Sequence, residues 1–104
     1  MNRKYCADDV PQWIIRQFDR IDYNKVTGTE IEKVCSQLMQ YARITFLSFK
    51  KSINQTKYID CNIPQQILDT ISQIDFKKIN PQKEKSIEES LTRYITTSYG
   101  AVLR

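Results

Sequence analysis

A chain of 104 residues, 40% of them hydrophobic, holds one domain with a thin core, and chains of this size often complete their burial against a partner. Two glycines and three prolines leave few sharp turns, which disfavours a hairpin-rich all-β fold and points to a mostly helical domain. A net charge of +4 is compatible with nucleic acid or an acidic partner and demands neither.

The first predicted helix is "DDVPQWIIRQFDRI", with Asp8 or Asp9 as its cap and Pro11 in its first turn. Val10, Trp13, Ile14, Phe18 and Ile21 recur at helical spacing, and Arg16 and Arg20 lie off that stripe. The loop "DYNKVTG" follows, with Val26 as a short extended contact. Thr27 with Glu30 three residues on forms a capping box for the second helix, and Thr29 is the other candidate cap.

The second helix is expected from about Thr29 to Asn54, because no glycine or proline interrupts it. At 1.5 Å per residue it would span roughly 40 Å, longer than one short flanking helix can cover. Ile31, Val34, Cys35, Leu38, Ala42, Thr45, Phe46, Phe49 and Ile53 form one stripe, and Met39, Tyr41, Ile44 and Leu47 widen the apolar arc. Part of that arc is therefore expected to meet another chain.

Tyr58 and Ile59 have strand-forming side chains. A third helix follows, capped by Asp60 or Asn62, with Pro64 in its first turn and Ile63, Ile67, Leu68, Ile71 and Ile74 as its apolar face. Pro81 opens or precedes a last helix over about residues 82–103, whose end, "TTSYGAVLR", is expected to fray. No internal repeat beyond the helix pairing stands out. Cys6, Cys35 and Cys61 form no CxxC pair and lie too far apart in this scheme to share a site. With no histidine in the chain, neither a metal nor a cofactor is expected. Polar residues fill Met1 to Asp9, with no signal-peptide core, and no 18-residue apolar run occurs, so a reducing intracellular compartment is expected.

Short helix, long helix, short helix and an added C-terminal helix match the order of the histone fold. "VPQWIIRQFDRI", "VTGTEIEKVCSQLMQYARITFLSFKKSINQ" and "IPQQILDTISQIDFKKINP" resemble one branch of that family. The branch contains the B subunit of the CCAAT-binding factor and the small subunits of DNA polymerase epsilon and of chromatin-accessibility complexes. The resemblance covers residues 9–95. It implies an all-α histone-fold domain over 1–104, with its core at about 9–76. It also implies heterodimerisation with a second histone-fold chain and work in the nucleus, in replication, transcription or chromatin. In that arrangement Ile31, Val34, Leu38, Met39, Ala42, Phe46, Phe49 and Ile59 would meet the partner. Tyr58 and Ile59 would pair with the partner's first loop as a short parallel strand, and Val26 would offer the reciprocal edge. The family's arginine–aspartate clamp is missing: the loop offers Lys57, and Gln66 precedes Ile67.

Nothing in the sequence suggests an enzyme. There is no histidine base and no glycine-rich phosphate loop, and Asp8–Asp9 and Glu88–Glu89 read as a cap and a solvated face. Trp13, Phe46 and Phe49 read as core rather than as base-stacking groups. The resemblance places Arg16, Arg20, Lys25, Lys50, Lys51 and Lys57 where such a pair meets DNA phosphates; the bland reading of the same residues is a solvated charged face. The expected function is thus a non-enzymatic subunit contacting duplex DNA largely without sequence preference, or serving as a scaffold. A protein-bridging subunit and a free-standing helical adaptor are the alternatives. Lys77, Lys78, Lys83 and Lys85 surround the exit of the third helix and could equally serve a protein partner.

Overall fold

The computed structural model describes residues 3–45 and 48–104. It is not an all-α histone fold. Four helices are joined by two small antiparallel ribbons, so the fold is mixed α/β. In chain order the elements are β1 (Arg3–Cys6), α1 (Gln12–Asp19), α2 (Gly28–Ile44), β2 (Ser48–Phe49), β3 (Lys57–Asp60), α3 (Gln65–Ser72), β4 (Ile74–Asp75) and α4 (Pro81–Tyr99). Single 3₁₀ turns at Tyr23–Lys25 and Phe76–Lys78 connect α1 to α2 and β4 to α4.

The long helix is where the all-α expectation fails. α2 has 17 residues and ends at Ile44, a length of roughly 25 Å rather than 40 Å. Thr45 closes it by returning its hydroxyl to the Tyr41 carbonyl at 2.9 Å. Beyond it, Ser48 and Phe49 pair with Asp75 and Ile74. This stretch is rich in β-branched and aromatic residues, which fit a pleated edge better than a helix. The absence of glycine and proline was therefore no guarantee of helix continuation.

Tyr58 and Ile59 do enter a strand, but within the chain. β3 pairs antiparallel with β1, with Tyr5 opposite Tyr58 and Lys4 opposite Ile59. The pairing edge turned to β1 is thus taken within the chain, and Val26 packs half-buried against the core. The outer edge of β1 is sealed at Tyr5: its N–H donates to Gln65 Oε1 (3.2 Å) and its carbonyl accepts from Gln65 Nε2 (2.7 Å). A side-chain amide thus stands where another strand could add.

The register exposes a repeat. A constant offset carries Lys4-Tyr5 onto Lys57-Tyr58 and Val10-Pro11-Gln12 onto Ile63-Pro64-Gln65. The same offset carries Ile21-Asp22-Tyr23 onto Ile74-Asp75-Phe76, and Leu38 and Tyr41 onto Leu91 and Tyr94. Because Tyr5 faces its own equivalent, Tyr58, the two halves are related by an approximate twofold axis through the ribbon. α2 packs on α3, and α4 packs on α1. Phe49 pairs with Ile74, and Leu103 bridges Ile21. The next amide in each half repeats the match: Lys50 N–H donates to the Gln73 carbonyl (2.8 Å) and Arg104 N–H to the Arg20 carbonyl (2.7 Å). The C-terminus is therefore tied down rather than frayed.

The core lies between the halves. Ile63, Ile67, Leu68, Ile71 and Ile74 are fully buried, as their spacing predicts, alongside Val10, Ile14, Ile15, Phe18 and Ile21 from the first half. Full burial of one such side chain contributes about 1.5–3 kcal/mol. The equivalent long helices bury equivalent positions: Val34, Leu38 and Ala42 on α2, and Ile87, Leu91 and Ile95 on α4. Thr27 caps α2 by accepting from Glu30 N–H (3.2 Å), and Asn80 caps α4 by accepting from Lys83 N–H (2.8 Å). Pro11 and Pro64 stand at the cap positions of α1 and α3, one residue earlier than the first turn assigned to them, and no side chain caps either helix.

Candidate functional site

The second apolar stripe does not face outward as a docking surface. Val34, Leu38 and Ala42 are buried within the chain, and Ile31, Phe49 and Ile59 are half-buried against the same core. Met39 is half-buried, and Phe46 lies outside the described residues. Much of the apolar surface that suggested a histone partner packs inside the chain, while Ile44 and Ile53 of the same arc are exposed.

The six expected phosphate-binding cations part ways. Lys50 is half-buried: its ammonium pairs with Asp9 Oδ1 and donates to the Ser72 carbonyl (3.0 Å). Lys57 donates to the Val10 carbonyl (2.8 Å). Both are spent on holding the fold. Arg20 is half-buried and donates to Gln17 Oε1 (3.0 Å), while Arg16 and Lys51 are exposed. Lys25 is exposed on the first 3₁₀ turn, 4.0 Å from Asp22. Asp9, expected as a cap, is instead the buried partner of Lys50, and its Oδ2 is buried with no protein partner.

The exposed cations that do share one turn are on the second half. Lys77 and Lys78 end the 3₁₀ turn, Asn80 caps α4, and Lys83 and Lys85 lie in the first turns of that helix, all four lysines exposed. Glu84 is the only acid in the first turn, and its carboxylate accepts the Trp13 indole N–H at 2.6 Å. The twofold equivalent is the start of α2, where Asn24, Glu30 and Glu32 stand in place of Lys77, Lys83 and Lys85. Helix N-termini carry partial positive charge and favour acids. Each helix keeps one acid in its first turn, Glu30 or Glu84, but the second half adds Lys77, Lys83 and Lys85 where the first half has Asn24, Glu30 and Glu32.

Two polar cavities sit at equivalent places in the halves. One, about 330 Å³, is lined by Ile21–Asn24, Asn62 and Arg104. The other, about 240 Å³, is lined by Ala7–Asp9, Lys50, Ser52, Asn54 and Lys77. Among the described residues, no cluster of three or more histidine, cysteine or acidic side chains could hold a metal. Burial pushes the thiols of Cys6 and Cys61 up, which keeps them protonated and poorly nucleophilic, and Cys35 Sγ leans on the Gln66 carbonyl at 3.6 Å. No described helix is long and apolar enough to cross a membrane. Comparison with protein-family models, with curated proteins and with solved structures finds no match.

Proposed function

We propose that this chain is a non-enzymatic binding domain that contacts the phosphate backbone of duplex DNA, largely without sequence preference, through the basic turn that opens α4. One observation carries the reading. Lys77, Lys78, Lys83 and Lys85 gather at the positive pole of the longest described helix, where the first half has Asn24, Lys25, Glu30 and Glu32 at the equivalent positions. Lys78 stands 4.0 Å from Asp75, yet four like charges crowded at a helix N-terminus repel one another and are opposed by the helix dipole. Backbone phosphate is the ligand chemistry that relieves both costs: it binds amide groups at a helix N-terminus and cations around it. Of the set Arg16, Arg20, Lys25, Lys50, Lys51 and Lys57 expected to meet phosphate, Lys50 and Lys57 are engaged by backbone carbonyls of the fold, so this turn is the better-placed basic surface.

The test is a salt titration of duplex binding by the wild type and by a variant with Lys77, Lys78, Lys83 and Lys85 changed to alanine. Each lost phosphate contact should reduce the slope of log K against log salt by about one unit. Changing Arg16 and Arg20 together should move the slope less. Absence of duplex binding at low salt would favour the adaptor reading. The observation behind that second reading is the pair Tyr5 and Tyr58, 44% and 52% exposed, whose rings meet edge to face at 4.6 Å on the twofold axis.

A further inference from the structure

Nearly all the packing in this molecule runs between its halves. β1 pairs with β3, β2 with β4, α2 packs on α3, α1 on α4, and α3 on β1. Within a half, the substantial contacts join only chain neighbours: β4 to α3, and the last turn to α4. Each half therefore supplies one wall of a core that the other completes. The halves are joined by residues 50–56, of which 51–54 are exposed. Anchors flank this link on both sides: Lys50 holds Asp9 of its own half and the Ser72 carbonyl of the other, and Gln55 Nε2 donates to Asp69 Oδ1 within the second half.

We infer that the surface between the halves is an exchangeable interaction surface whose partner is a second copy of this chain. The first half of one copy docks on the second half of the other, and reciprocally. Every hydrogen bond of the ribbons and every buried contact of the closed monomer is reproduced in that dimer; only the course of the link changes. The competition is then one of concentration. A short link holds the two halves at an effective concentration on the order of 1 mM, so the closed monomer dominates well below that value. The exchanged form grows with protein concentration above it. Once formed it persists, because release requires the whole inter-half core to open.

The experiment uses the complete chain. Protein is unfolded in denaturant, refolded at ~10 µM and at ~1 mM, diluted to a common concentration and weighed by light scattering. The exchanged dimer should be a minor species in the first sample and tens of per cent of the second, following the effective-concentration argument, and should survive dilution. Two forms of the chain, one carrying an affinity tag, provide the second measurement. Refolded together at high concentration they should be captured together; mixed after separate folding they should not. A monomer at every refolding concentration, or equal capture by the two routes, overturns the inference. The first result would mean that the halves close only on themselves, the second that any association is by ordinary surface contact.

Discussion

At the end of α1 the last carbonyl, that of Asp19, is met by the guanidinium of Arg104; at the equivalent end of α3 the Ser72 carbonyl is met by the ammonium of Lys50. Geometrically this is one device used twice, a cation laid on a helix C-terminus. Its surroundings differ. The Arg104 guanidinium is 44% exposed and bridges to a half-exposed Asp19 at 3.0 Å. The Lys50 side chain is 15% exposed and faces an Asp9 side chain that is 5% exposed. The comparison teaches that a shared backbone scheme leaves the electrostatic stakes of each copy free to drift apart.

Substitution at these two positions should break the equivalence most sharply. Lys50→Met strands a buried Asp9 carboxylate, and removing one member of a buried pair costs about 3–5 kcal/mol. Arg104→Met should cost at most ~1 kcal/mol, as exposed pairs do. Urea unfolding of the two variants measures both. Equal losses would mean that the Asp9–Lys50 pair is solvated like its counterpart. A Lys50→Met, Asp9→Leu double variant should recover much of the loss, because it removes the stranded charge as well.

The same comparison explains how far the sequence could be read. The apolar face of α3 and the stripes of α1 and α2 were legible because burial follows helical period, and Thr27 was legible because its capping box is local. The end of α2 was not, because it depends on a pairing with Ile74 some 25 positions further along in sequence (Phe49 to Ile74). β1 was missed because Arg3 to Cys6 is short and polar, and its pairing is fixed by contact with β3. The repeat, however, was open to view. "KYCADDVPQ" and "KYIDCNIPQ", "IDYNKVT" and "IDFKKIN" align without a gap. Recognising it would have predicted a self-completed pair of halves in place of an open handshake helix. Of the basic residues, those on the second 3₁₀ turn and α4 were visible as a group. The internal engagement of Lys50 and Lys57 was not legible, since nothing local distinguishes a lysine that reaches a backbone carbonyl from a solvated one.

Helix caps give a finer version of the comparison. Thr27 and Asn80 accept from the amide three residues on, at 3.2 Å and 2.8 Å. Replacing either by alanine should cost about 1 kcal/mol. In Asn80→Ala the freed N–H groups lie among lysines, so part of the loss should return when phosphate is added; in Thr27→Ala, beside Glu30, it should not. Thermal unfolding with and without phosphate separates the two, and an equal response would show that the lysines do not make the α4 terminus a better anion site.

The smallest expected effect concerns a single hydroxyl. Tyr23 and Phe76 are equivalent residues of the two 3₁₀ turns, and only Tyr23 carries a phenol, which donates to the Phe18 carbonyl at 2.7 Å. Burial, reinforced by the Asp19 carboxylate, raises its pKa far above the ordinary 10.0. Burial and a hydrogen bond with Tyr99 raise Tyr94 in the same direction. The folded protein thus holds phenol protons that the unfolded chain releases near pH 10. The stabilisation is fully present below that pH and is lost progressively as the pH rises toward the folded values. Tyr23→Phe makes the first half resemble the second. It should cost roughly 0.5–1.5 kcal/mol at neutral pH, the net worth of one hydrogen bond. Above about pH 10 the variant should lose less stability than the wild type, with the remaining slope owed to Tyr94. Unfolding curves recorded at roughly pH 8 and pH 11 measure the two slopes. If they are parallel, Tyr23 ionises in the folded state as readily as in the unfolded chain, and the 3₁₀ turn of the first half is as open to water as its exposed Lys25.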